Sequence, residues 1–189
     1  MEGRALPDDS AGSDEGVRPE ALVGLDIALV TARFTVRTLK PSDVGDAYVA
    51  WFDDPVVQQF IAWRPSADPV EELREFVAGH DARADSLLLG IFDAEGRHVA
   101  NLKYEPIDCG HRTAVLGVLI GDAAWRGRGL FGEVFSATAK LLHLRFGIRR
   151  VLLGVDGENA AALAAYKRAG FVAVPRPDGG QVWMECLLG

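Results

Sequence analysis

The segment Trp125-Arg126-Gly127-Arg128-Gly129-Leu130-Phe131-Gly132 constrains this chain more than any other. It joins a short apolar run, Val115 to Ile120, to a long helical pattern that begins near Leu130. The first turn of a helix carries unpaired amide N–H groups and the positive end of the helix dipole. Glycines there let the backbone come close to a ligand, because no Cβ intervenes. Arg126 and Arg128 add charge that suits phosphate oxygens. The segment therefore predicts a pyrophosphate cradle at a helix N-terminus. The plainer reading is a surface turn with two solvated arginines.

Two kinds of ligand compete for such a cradle. Gly127 to Gly132 spells G-x-G-x-x-G, the dinucleotide fingerprint. That reading needs a strand running straight into the first glycine and several strand–helix units downstream. Here Asp122 to Arg126 intervene, and only one strand–helix–strand stretch follows. Asp156, at the end of the next strand pattern, has the chemistry of a ribose-binding acid, so position in the chain is what counts against a dinucleotide. A nucleotide-triphosphate loop is excluded, since no G-x-x-x-x-G-K-[ST] occurs.

The second kind of ligand is an acyl-CoA. Arg126-Gly127-Arg128-Gly129-Leu130-Phe131 resembles the [QR]-x-x-G-x-[GA] motif that opens the central helix of the GNAT superfamily of acetyl-CoA-dependent N-acetyltransferases. It departs from the motif at Phe131, where a small residue is usual, and Gly132 follows one place later. Asn159-Ala160-Ala161-Ala162-Leu163-Ala164-Ala165-Tyr166-Lys167-Arg168-Ala169-Gly170-Phe171 is similar to the family's N-x-x-A-x-x-x-Y-x-[KR]-x-G-F helix and following strand. Two motifs in this order are more specific than either alone. The resemblance covers roughly Ala32 to Leu188. The first half, from Phe34-Thr-Val-Arg37 through Trp51-Phe-Asp-Asp-Pro55 to Val99-Ala-Asn-Leu-Lys103, looks most like the branch with ribosomal-protein N-terminal and amino-sugar acetyltransferases.

Periodicity supplies the elements. A first strand is expected over Ala28 to Leu39, with Phe34, Val36 and Thr38 on one face. Pro41-Ser42-Asp43 caps a helix to about Phe52, which Asp53-Asp54-Pro55 breaks. A helical turn follows around Val56 to Phe60, then a helix over Val70 to His80 with Leu73, Phe76 and Val77 on its buried side. Strands are expected over Ser86 to Phe92, His98 to Tyr104 and Thr113 to Gly121. The central helix runs from about Arg128 to Phe146 and ends at Gly147. Phe131, Val134, Phe135, Thr138, Leu141, Leu142 and Arg145 mark its apolar face. Val151 to Val155 is a nearly all-apolar strand, as a sheet covered on both faces requires. A helix over Asn159 to Ala169 and strands over Phe171 to Val174 and Gln181 to Leu187 finish the chain, the last two joined by a Pro/Gly turn. The expected fold is α/β: a GNAT-type mixed central sheet flanked by helices on both faces.

The resemblance implies a site. The backbone of Leu119, Ile120 and Gly121 pairs with the pantetheine arm of acetyl-CoA, as an open strand edge pairs with a further strand. Arg126, Gly127, Arg128, Gly129, Leu130, Phe131 and Gly132 hold the pyrophosphate. Asn159 bonds the arm or a phosphate, and also suits the N-cap of its own helix. Tyr166 gives the departing thiolate a proton, against the alternative of a core tyrosine on an apolar helix. The general base is poorly marked. Val115 to Leu119 hold no titratable residue, so Glu105, Asp108 and His111 are the substitutes, each equally readable as a solvated loop residue. Cys109 has no supporting motif as a nucleophile. No His/Cys/Asp/Glu cluster has metal-ligand spacing.

Composition bounds the rest. The 189 residues predict one domain, residues 28–189, and 49% hydrophobic content is ample for its core. Residues 1–26 hold seven acids and two bases, five of the seven net negative charges, so residues 1–27 are expected to be a disordered acidic tail. The nearly neutral remainder has no basic patch for nucleic acid. Two cysteines are too few for a disulfide framework. No apolar run of membrane-spanning length and no signal-peptide layout occurs, which makes the cytoplasm the expected location. The expected activity is acetyl transfer to a primary amine of a small molecule by direct attack, in a monomer or homodimer. A protein N-terminus is the alternative acceptor, and a non-catalytic CoA- or nucleotide-binding module is the alternative of another class.

Overall fold

A computed structural model of the protein describes residues 22–61, 63, 66–175 and 180–189. Residues 1–21 of the expected tail, and most of the Pro/Gly turn before the last strand, lie outside the described residues. Residues 22–27, assigned to that tail, belong to the folded body. Leu22 and Ile27 are buried in the main core, and the Ile27 amide donates to Thr38 Oγ1 at 2.9 Å.

Eight strands form one sheet: β1 (Ala28–Val30), β2 (Thr35–Thr38), β3 (Leu87–Phe92), β4 (His98–Asp108), β5 (Thr113–Ile120), β6 (Arg150–Asp156), β7 (Val172–Val174) and β8 (Gln181–Leu187). Their order across the sheet is β1-β2-β3-β4-β5-β6-β8-β7. The β5–β6 pair is parallel and every other neighbour pair is antiparallel. The helices are α1 (Asp46–Val49), α2 (Pro55–Phe60), α3 (Pro69–Asp81), α4 (Leu130–Phe146) and α5 (Ala160–Arg168). Two cores lie on opposite faces of the sheet. One joins α4 and α5 to Leu89, Leu102, Tyr104 and Leu116. The other joins α1, α2 and α3 to Leu88 and Phe92, with Leu119 packed against it. The expected mixed α/β layering is therefore what forms.

Two expected elements are subdivided. The strand over Ala28 to Leu39 is a hairpin: Thr31 bonds Phe34 through both its amide (2.8 Å) and its hydroxyl (3.1 Å), which turns the chain between β1 and β2. The helix over Pro41 to Phe52 is a 3-10 turn at Pro41–Asp43, then α1, then a 3-10 turn at Ala50–Asp53, because Gly45 is fully extended. The apolar stripe of α4 also differs at its end. Phe146 is buried in place of Arg145, and Tyr104 Oη meets Thr138 Oγ1 at 2.7 Å inside the stripe. Gly147, at φ +66°, closes the helix with its amide on His143 O at 3.1 Å, the left-handed end that glycine supplies without strain. Phe76 is exposed and lies against the His80 ring.

Gly121, at the end of β5, lies flat against the Trp51 indole, and a Cβ built there would overlap the ring. Trp51 is held between Tyr48 (4.7 Å) and His98 (4.6 Å), so it has little room to give. Gly121→Ala should therefore be destabilised by about 1–3 kcal/mol, the usual cost of overpacking, read as a lower urea midpoint at unchanged slope. A parental midpoint would show that this junction is loosely packed.

Candidate active site

The sheet splits where β5 and β6 part. They pair only over Thr113–Val115 and Arg150–Leu152, while β5 stays paired to β4 as far as Ile120 and β6 to β8 as far as Asp156. The Gly121 amide donates to Val99 O at 3.1 Å. Alternation along an antiparallel ladder then turns the polar backbone groups of Gly117 and Leu119 and the amide of Gly121 toward β4, and those of Val118 and Ile120 toward the split. Of the three expected arm-binding residues, only Ile120 faces the gap. Val118, which the sequence reading omits, faces it too; a period of two fixes alternation but does not say which parity is free.

A cleft of about 500 Å³ occupies the split. It is lined by Val118 to Ile120, by Gly127, Gly129, Leu130, Phe131 and Gly132, by Asn159 and Tyr166 with the alanines around them, and by four residues of α2 and its end. The cradle glycines, Asn159 and Tyr166 thus line one cleft, together with α2 and Arg168, which the motifs do not point to.

The cradle is built from backbone. Gly127 (φ +71°) and Gly129 (φ +77°) are left-handed on either side of Arg128, and Gly129 is the N-cap of α4. Among the described residues, the six amides from Gly127 to Gly132 donate to no protein acceptor. A helix start explains the amides of its first turn; successive amides in such alternating turns form an anion-binding concavity.

The two arginines have different roles. Arg126 Nε and Nη2 donate to Ile120 O (3.1 Å) and Gly121 O (2.9 Å), and Nη1 to Asp54 Oδ2 (2.8 Å). The expectation of a phosphate-binding Arg126 side chain is corrected here: its guanidinium clasps the end of β5 to the start of α2. Asp54 also caps α2 by accepting from Val56 N at 2.8 Å. That backbone bond, with the Arg126 guanidinium, holds its carboxyl below the usual range. Arg128 is exposed, and among the described residues only its carbonyl is engaged, accepting from Arg33 Nη1 at 3.0 Å. Arg33 and Thr31 also hold Glu133, whose Oε1 accepts from the Arg33 amide (2.8 Å) and Thr31 Oγ1 (2.7 Å), and whose Oε2 accepts from Arg33 Nε (2.7 Å). The β1–β2 turn thus braces the first turn of α4 and neutralises the acid there. A contact spanning a hundred residues leaves no local pattern from which to find it.

On the opposite wall, Asn159 caps α5 by accepting from Ala162 N at 3.0 Å, and the residue also lines the cleft. Tyr166 packs edge-on against Phe131, centroids 4.9 Å apart. The departure at Phe131 is therefore structural: its ring steadies the tyrosine. Burial pushes the Tyr166 phenol up to about 12, and among the described residues its hydroxyl makes no hydrogen bond with protein. The phenol is thus held neutral at the edge of the cleft.

The other expected catalytic residues are elsewhere. His111 sits on the β4–β5 turn, its Nδ1 2.7 Å from Asp108 Oδ2, and at about 3.3 Å per residue roughly 23 Å of strand separates Thr113 from Ile120. Glu105 lies on the α3 side of β4, tied to Lys103 (3.0 Å), His80 (3.0 Å) and Arg83 (2.8 Å). Burial alone would push its carboxyl up, but Lys103 and His80 hold it below the usual range, which is unsuited to a base. Neither lines the cleft. Among the described residues no group of three or more His, Cys, Asp or Glu is placed to hold a metal ion, and no helix is long and apolar enough to cross a membrane.

Comparison with solved structures finds the same fold. The ribosomal-protein-S5-alanine acetyltransferase of Vibrio fischeri superposes with a TM-score of 0.72 at 13% identity, covering 86% of this chain and 97% of that one. Spermidine N-acetyltransferase of Vibrio cholerae, in complex with CoA and spermine, gives 0.69 at 19% identity over 82% and 95% of the two chains. AAC(6′)-Ib, in complex with Parmomycin and acetyl-CoA, gives 0.65 at 18% identity over 82% and 93%. No curated protein sequence matches the chain. The sequence model of the acetyltransferase (GNAT) domain matches residues 33–172, which takes in the cradle, the split and the Tyr166 helix: the chain belongs to the GNAT acetyltransferase family.

Proposed function

We propose that the protein transfers the acetyl group of acetyl-CoA to a primary amine of a small-molecule acceptor by direct attack. The observation that carries this reading is the row of six unpartnered amides, Gly127 to Gly132, at a split in the sheet whose free edge is Val118 and Ile120. Phosphates fit the amides, and an amide-bearing arm fits a strand edge. Arg128 and Arg168 supply charge beside them. Arg126 closes one edge acceptor, Ile120 O, so Val118 and the Ile120 amide remain to pair with the arm.

Acetyl-CoA supplies the activated acetyl group. The amine nitrogen bonds to the acetyl carbon as the carbon–sulfur bond breaks, and the nitrogen sheds a proton while the sulfur gains one. Tyr166 delivers the proton to sulfur and regains one from solvent. No carboxylate lines the cleft among the described residues, so the amine enters neutral and loses its proton to water. A phenol at about 12 stays protonated as the pH rises far enough to neutralise the amine, which is the state a donor needs.

Acetyl-CoA at a hundred times its dissociation constant should stabilise the fold by about 2.7 kcal/mol, and NAD should leave Tm unchanged. Gly132→Ala isolates the cradle. An added Cβ meets nothing within 4 Å, and alanine in place of a helical glycine should stabilise by about 0.8–1.0 kcal/mol. Its affinity for acetyl-CoA should nevertheless fall by about tenfold or more, equivalent to roughly 1.4 kcal/mol. Gly129 is a poorer probe, since any side chain at φ +77° strains the fold itself. A stabilised Gly132→Ala with parental affinity, or a Tm shift with NAD alone, overturns the reading.

Tyr166→Phe keeps the ring against Phe131 and removes the hydroxyl. The dissociation constant of acetyl-CoA should hardly change, while kcat falls by about 10²–10⁴-fold. In the parent, kcat/KM should rise with pH as the free amine deprotonates, and kcat should turn down only as pH approaches 12, where the phenol ionises. Near-parental turnover in the variant would remove Tyr166 from the chemistry.

A further inference from the structure

The cleft has a second wall whose chemistry bears on the acceptor. On the face opposite α4, it is bounded by Val56, Val57, Phe60 and Ile61, contributed by α2 and the residue that follows it. Val56 is 51% exposed and Phe60 37% exposed, although both open into a cleft of about 500 Å³. Exposed apolar side chains grouped beside a cavity mark a surface that something covers. The charged side chains that line the cleft among the described residues are Arg126 and Arg168, both basic. Asp54, the N-cap residue of α2, has its carboxylate committed to Arg126 and to the Val56 amide.

We infer that the acceptor is a monoamine carried on an apolar body, aromatic or branched aliphatic, which lies against α2 while its nitrogen reaches the split. The inference rests on the acetyl-transfer reading above. The cradle and the α5 wall belong to the CoA side, so the acceptor approaches from α2. An ammonium moved out of water with no carboxylate to meet it carries a large desolvation penalty. A single amine escapes that penalty by entering neutral. A polyamine or an aminoglycoside cannot, because its remaining ammonium groups would face Arg126 and a hydrocarbon wall, with no carboxylate in the cleft among the described residues to meet them. This chain then differs in acceptor class from the structural neighbours bound to spermine or Parmomycin.

The test is the initial rate of free-thiol release from acetyl-CoA, with 2-phenylethylamine, 3-methylbutylamine, spermidine and kanamycin as acceptors, alongside direct measurement of acetyl-CoA affinity. The two apolar monoamines should exceed the two polycations in kcat/KM by roughly 10–200-fold, the discrimination a hydrophobic pocket provides. Phe60→Ala should lower kcat/KM for 2-phenylethylamine by about tenfold or more and leave acetyl-CoA affinity within twofold of parental. Val56→Glu, at an exposed position, should raise kcat/KM for spermidine and lower it for 2-phenylethylamine. Faster turnover of spermidine or kanamycin in the parent overturns the inference, as does tight acetyl-CoA binding with no turnover of either monoamine. Failure of acetyl-CoA to bind at all would instead overturn the reading on which the inference rests.

Discussion

The architecture depends on one incomplete ladder. β5 and β6 are parallel neighbours that pair over three residues and then part, although each keeps its other partner to its end. A strand edge inside a sheet is costly to leave unpaired, because every amide and carbonyl on it needs a partner. Here one exposed carbonyl, Ile120 O, takes a guanidinium, and the neighbouring groups of Val118 and Ile120 face a cleft. The six amides of the cradle stand at the end of the same opening. Donors without acceptors and an edge without a strand share one cavity, and an extended ligand with phosphates at one end suits both.

Arg126 keeps that opening in shape. Its guanidinium meets three oxygens on two elements, Ile120 and Gly121 at the end of β5 and Asp54 at the start of α2. It joins the layer containing α2 to the strand that leads into the cradle. Gly121 completes the junction by letting Trp51 lie against the backbone. On the other side, Arg33, Thr31 and Glu133 brace α4 to the β1–β2 turn. Both clasps run between segments far apart in the chain, so the site is assembled by tertiary structure around a local motif.

That division explains what the sequence reveals. Fold class, helix ends and the cradle are local matters: Gly127, Gly129 and Gly147 are needed where backbone must turn left-handed, and Asn159 and Asp54 are needed where helices start. The motifs placed Tyr166 and the glycines in one site, and they lie in one cleft. The role of Arg126 is not legible, since a guanidinium suits a phosphate and a carboxylate equally, and Asp54 is 72 residues away. Glu105 and His111 are chosen by residue type alone; the fold turns one toward α3 and leaves the other at the far turn. The free edge is misread by one residue, which in a strand exchanges the paired side for the open one.

If the protein binds acetyl-CoA as proposed, the amides of Gly127 to Gly132 donate to its phosphates. Amide proton shifts report this directly, by titrating ¹⁵N-labelled protein with CoA, which lacks the acetyl group and so cannot turn over. The account requires the Gly127, Gly129 and Gly132 amide protons to move downfield together, saturating at one dissociation constant, with Val118 and Ile120 following on the same curve. Saturable binding of CoA that leaves those three glycine amides unmoved would contradict it.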